Sequence, residues 1–153
     1  MKYRKLTTEE LEELKEEFIQ FLVSNTVTAD DWVKIKETQI DKAEKLIEMF
    51  SDQVLDKALS NIKFLEKREA KNIMLFHCRK DEIDMISLSI DSNSPYDFTK
   101  ENELVEIAEY EKLSSFKSTK KYSKIREEEI FDLLNNGCLT TDEQLYKVLA
   151  NLK

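Results

Sequence analysis

The residues able to carry chemistry are few. There is one histidine, His77, and there are two cysteines, Cys78 and Cys138, far apart in the chain. A nucleophilic cysteine needs a base within hydrogen-bond reach, and neighbouring residues on a strand point to opposite faces, so Cys78 cannot pair with His77. Only His77 with Cys138 is left as a dyad, and no spacing argues for it. Two widely separated cysteines support neither a zinc site nor a disulfide framework, and both read as reduced thiols. Glu127, Glu128 and Glu129 follow one another and would point different ways around a helix, while Asp81 and Asp84 lack the glycine and spacing of a calcium loop. Gly137 is the single glycine, so neither GxxxxGK[ST] nor GxGxxG can be written. No metal and no cofactor is expected, and an enzyme is the least favoured class.

The lead is electrostatic. The stretch KSTKKYSKIREEEIFDLL, residues 117–134, places Lys117, Lys120, Lys121, Lys124 and Arg126 ahead of Glu127, Glu128, Glu129 and Asp132, in a chain of net charge −8. If Ser123 caps a helix over 124–135, Lys124 and Arg126 lie in its first turn, where the helix dipole disfavours cations by about 0.3–1 kcal/mol each. An anion would offset that cost. Lys117, Lys120, Lys121, Tyr122, Lys124 and Arg126 therefore form a hypothetical patch for an anion or partner. The first choice of partner is an acidic protein or a second copy of the chain. RNA is the alternative, with Phe116 and Tyr122 as stacking platforms. A plainer reading has the run docked on the chain's own acidic first helix, or solvated. The net negative field argues against duplex binding by the protein as a whole.

These residues need elements to hold them. At 153 residues the chain fits a single domain over 1–153, and 41% hydrophobic content in periodic patterns offsets 37% charged residues enough for a core. Thr7 with Glu10 reads as a capping box, and Leu11, Leu14, Phe18, Phe21 and Leu22 recur at helical spacing to about Asn25. Thr28 with Asp31 repeats the signal before a short helix carrying Trp32 and Ile35, both expected in the core. A third helix covers about 40–61. From 62 to 91 the period becomes two, with Met74, Phe76 and Cys78 alternating against Ile73, Leu75 and His77, and with Ile86, Leu88 and Ile90 against Met85, Ser87 and Ser89. Short links predict a three-stranded antiparallel meander, packed on one face by helices from both the N- and C-terminal segments, with Ser87 and Ser89 on a wet face. Helices are predicted over about 99–112, 124–135 with Asn136-Gly137 as its stop, and 141–152 capped from Thr140 or Thr141. Tyr96, after Pro95, is either a contact residue or folded back on the core. The fold class is α+β.

The segments MKYRKLTTEELEELKEEFIQFL, TADDWVKIK and YSKIREEEIFDLL together resemble a family of small cytoplasmic proteins from Bacteroidetes-type bacteria, a domain of unknown function. The resemblance spans almost the whole chain and implies a standalone single-domain protein. It carries no catalytic or binding residue with it. No secretion signal opens the sequence and no apolar run reaches the eighteen residues that span a bilayer, so the expectation is a cytoplasmic protein without a membrane partner.

Overall fold

In a computed structural model, the described residues are 1–104, 106–107 and 112–151. They group into two compact units, Met1–Ala58 and Leu59–Lys153.

The first unit is helical. The Thr7 side chain accepts from the Glu10 amide and the Glu10 carboxylate accepts from the Thr7 amide at 2.9 Å, which is the expected capping box at the start of α1 (Thr8–Glu13). Arg4 grips the same carboxylate at 2.8 and 3.0 Å, and chiefly through that bond the Glu10 carboxyl is held down to about 2. The single helix predicted to Asn25 is divided at Leu14, whose ψ of 25° separates α1 from α2 (Lys15–Ser24). Hydrogen bonds of helical spacing continue across it, from the Leu14 amide to Glu10 and from the Phe18 amide to Leu14. Thr28 and Asp31 cap α3 (Ala29–Thr38) as expected, and α4 covers Ile40–Ser60. Phe18, Phe21, Leu22, Ile35, Leu46 and Phe50 form the core of this unit, with Trp32 edge-on to Phe18 at 5.2 Å.

The second unit is built on a sheet. Strands β1 (Phe64–Glu69), β2 (Asn72–Cys78) and β3 (Glu82–Ser89) form the expected antiparallel meander. The sheet is wider than predicted, however. Two further antiparallel strands, β4 (Ser114–Lys121) and β5 (Leu139–Thr140), make it five-stranded in the order β4-β3-β2-β1-β5. On one face Ile73, Leu75, Ile86 and Leu88 are buried with Phe98, Ile107 and Leu149, and Tyr96 folds back against them. The expectation of a single packed face also needs correction. On the other face Leu65, Phe76, Cys78 and Ile83 are buried too, and only the end bearing Ser87 and Ser89 is polar, tied by the Asn72 side-chain amide at 2.9 and 2.8 Å.

The helices of this unit start and stop for identifiable reasons. Helix α5 (Arg126–Asn135) ends with the Cys138 amide on the Leu133 carbonyl and the Gly137 amide on that of Leu134, while Gly137 takes φ +100°. That is the paired closure favoured by a glycine after the last turn. Helix α6 (Glu143–Ala150) is shorter than predicted and is capped by Asp142, whose carboxylate accepts from the Leu145 amide at 2.9 Å, rather than by Thr140 or Thr141. In the segment predicted as a helix over 99–112, Glu101–Glu103 is a 3-10 turn, Leu104, Glu106 and Ile107 are helical, and Lys112 and Leu113 are not; positions 105 and 108–111 of that prediction lie outside the described residues. The fold is therefore α+β, with six α-helices among the described residues and one five-stranded antiparallel sheet.

Candidate functional site

The basic run is a strand, not a helix approach. All eight residues of β4 are exposed, and in SSFKSTKK only Phe116, 61% exposed, is apolar. Its strand state comes from pairing along the full length of β3, from Glu82↔Lys121 to Ser89↔Ser114. Among the described residues no strand lies on its outer side.

Which backbone groups that outer side offers follows from the ladder. The Arg79 amide bonds the Glu82 carbonyl at 3.0 Å and the Ile90 amide bonds the Lys71 carbonyl at 3.0 Å. In an antiparallel pair, residues alternate between those that exchange hydrogen bonds with the neighbour and those that point away. On β3, Glu82, Asp84, Ile86 and Leu88 therefore bond β2, so Ile83, Met85, Ser87 and Ser89 bond β4. Their partners on β4 are Lys120, Ser118, Phe116 and Ser114. The amides and carbonyls of Ser115, Lys117, Thr119 and Lys121 consequently point outward, repeating every ~7 Å.

The six predicted site residues have different fates. Lys117 Nζ donates to the Ala150 carbonyl at 3.0 Å, at the last residue of α6. Lys120 lies 3.4 Å from Glu129 but is itself 63% exposed, and Lys124 pairs with Asp132. Lys121 has no carboxylate within ion-pairing distance among the described residues. Tyr122 Oη donates to the Arg79 carbonyl at 2.7 Å, and burial pushes its pKa up to about 12. Arg126 donates to the carbonyls of Leu59, Ile62, Cys78 and Arg79, so its guanidinium clasps the end of α4, the approach to β1 and the β2–β3 turn.

The expected cap is also different. The N-cap of α5 is Ile125, with no side-chain hydrogen bond, and Ser123 instead donates its amide and hydroxyl to the carboxylate of Glu129. Burial disfavours the ionised form of Glu129, but those two bonds and the Lys120 ammonium outweigh it and hold its carboxyl below the usual range. The first turn holds Glu127, Glu128 and Glu129, which satisfy the helix dipole from within. The anion expected from outside is thus supplied at this helix end by the chain's own acids. What the run leaves outward is the β4 edge with Lys117, Lys121 and the rim of Lys120.

Of the remaining titratable groups, Asp84 touches this edge through Thr119. His77 stacks on Phe64 with centroids 4.6 Å apart, and its Nδ1 lies 3.8 Å from Asp84, whose other oxygen takes Arg79 at 2.9 Å and Thr119 at 2.7 Å. Cys78 faces the opposite side of the sheet, and burial raises its thiol pKa to about 11, with Cys138 adding to the rise. Sequence reasoning missed a second basic feature, a cavity of about 320 Å³ lined by Lys63, His77, Arg79, Lys80, Arg126 and Glu127 among others. Its cations come from separate segments, so no run of charge announces it. Among the described residues no group of three or more His, Cys, Asp or Glu side chains is arranged to hold a metal ion, and no helix is long and apolar enough to cross a membrane.

The basic run is thus an all-exposed edge strand of the second, α+β unit. The chain belongs to the family described as Family of unknown function (DUF6495), whose family model matches residues 1–153. No curated protein and no solved structure matches it.

Proposed function

We propose that this protein is a non-enzymatic, cytoplasmic interaction module whose β4 edge receives an acidic protein partner. One observation carries the reading. Eight consecutive exposed residues hold three lysines on a sheet edge that no strand covers among the described residues, in a chain whose overall charge is −8. Such a local field attracts an acidic segment that the rest of the surface repels. The environment of the thiols favours this reading over an enzyme, since a buried cysteine with a raised pKa is a poor nucleophile. RNA is the weaker alternative, because Tyr122 is tied to the Arg79 carbonyl and only Phe116 remains free to stack.

The test uses Lys117→Glu and Lys121→Glu, which leave the Lys120–Glu129 and Lys124–Asp132 pairs intact. Binding is measured to a synthetic octapeptide of alternating glutamate and valine and to an oligouridylate, each across a salt series. The peptide is expected to bind the native protein and to lose at least tenfold in affinity to the double variant. Tighter binding of the oligouridylate with a steep salt slope, or no peptide binding at all, would overturn the proposal.

A further inference from the structure

Resting on that reading, we infer that the partner is captured by strand addition: an extended acidic segment pairs with the outward backbone groups of Ser115, Lys117, Thr119 and Lys121 and becomes a sixth strand. Three observations combine. Four amides and four carbonyls point outward along one edge, by the alternation of the ladder. The side chains of those same four residues share one face of the sheet with Asp84, Ile86 and Leu88, so Lys117 and Lys121 stand on one side of the edge. Phe116 and Lys120 stand on the other.

The edge therefore specifies an alternating guest. Residues of the added strand on the Lys117–Lys121 side are acidic, and those beside Phe116 are apolar or β-branched. A cavity of about 370 Å³ next to β4, lined by Lys117, Thr119, Tyr146 and Ala150 among others, leaves room for a side chain on the acidic side. The lysines also select against the wrong guest. Edge lysines hinder pairing with another basic strand, so a second copy of β4 meets like charges where an acidic segment meets opposite ones. The other terminal strand, β5, has only two residues.

Proline separates backbone pairing from charge. Placed at an outward position it removes an edge amide without breaking a bond to β3, whereas at an inward position it does break one. Ser115→Pro and Thr119→Pro are compared with Thr119→Val, which loses the hydroxyl bond to Asp84 but keeps the amide. The probe is the alternating Glu-Val octapeptide, followed by isotope-edited NMR. Strand addition predicts that peptide slows amide exchange at Ser115, Lys117, Thr119 and Lys121 of the native protein, and that each proline variant binds at least tenfold more weakly while Thr119→Val binds as native. Peptide binding that is abolished by Lys117→Glu and Lys121→Glu, yet is unchanged in the proline variants and leaves the outward amides unprotected, refutes strand addition and keeps the acidic-partner reading. Absence of peptide binding to the native protein refutes both. The exchange measurement needs no variant, so a proline chain that fails to fold does not weaken the test.

Discussion

Replacing Arg126 by methionine removes a cation from the basic run, and the structure places its effect in stability rather than in binding. The Arg126 side chain is only 13% exposed, and three of its four carbonyl acceptors, those of Leu59, Ile62 and Cys78, are in part-buried surroundings. A hydrogen bond from a charged donor is worth roughly 1.5–3 kcal/mol net, the lower value applying to acceptors that are only part-buried, and methionine fills much of the volume while donating nothing. Three such bonds at the lower value give a loss of about 4–5 kcal/mol. With a urea dependence of about 1.5–2 kcal/mol/M for a unit of this size, the unfolding midpoint falls by about 2–3 M. The assay is urea denaturation followed by NMR on amides of β2 and β3, which reports the second unit alone. Arg126→Lys keeps the charge on a flexible stem without the planar fork and should recover less than half of the loss. A midpoint shift below about 0.5 M in Arg126→Met would refute the clasp and return Arg126 to the surface patch.

Because Glu129 titrates below an ordinary carboxyl, the stability it gives is fully present above about pH 4.3, the unfolded value, and is lost as pH falls through its lower folded value. Glu129→Gln should therefore cost about 1–2 kcal/mol at pH 7, with the difference from the native protein shrinking as pH falls through the lowered folded value, in denaturation followed at α5. Gly137→Ala would bring its Cβ only into ordinary van der Waals contact with Lys67 Cε at 3.7 Å, so its cost of about 1 kcal/mol comes from φ +100° alone and is checked by the thermal midpoint. The double variant Lys117→Glu, Lys121→Glu should leave the stability within about 0.5 kcal/mol of native while weakening peptide binding at least tenfold.

Local signals were legible in proportion to how local their physics is. Thr7 with Glu10 and Thr28 with Asp31 each place donor and acceptor within one turn, and both capping boxes stand where their spacing put them. The meander was legible because Ile73, Leu75, Ile86 and Leu88 alternate with polar or oppositely facing residues. Strand β4 was not, because a strand exposed on both faces has no apolar period, and its conformation is imposed by β3. The two residues of β5 are too short to carry a pattern. For the site, the sequence located the cations but not their partners. Lys120 and Lys124 meet Glu129 and Asp132 of α5, an arrangement that depends on how β4 turns into the helix. Arg126 reaches carbonyls more than forty residues away in the chain, which no local spacing encodes.

The central claim is that the outward face of β4 is an open row of backbone groups. Residue-resolved hydrogen exchange on the unliganded protein tests it most directly, along Ser114–Lys121. Slow exchange at Ser114, Phe116, Ser118 and Lys120, alternating with fast exchange at Ser115, Lys117, Thr119 and Lys121, is the predicted result. Uniform protection, or the opposite alternation, would contradict it.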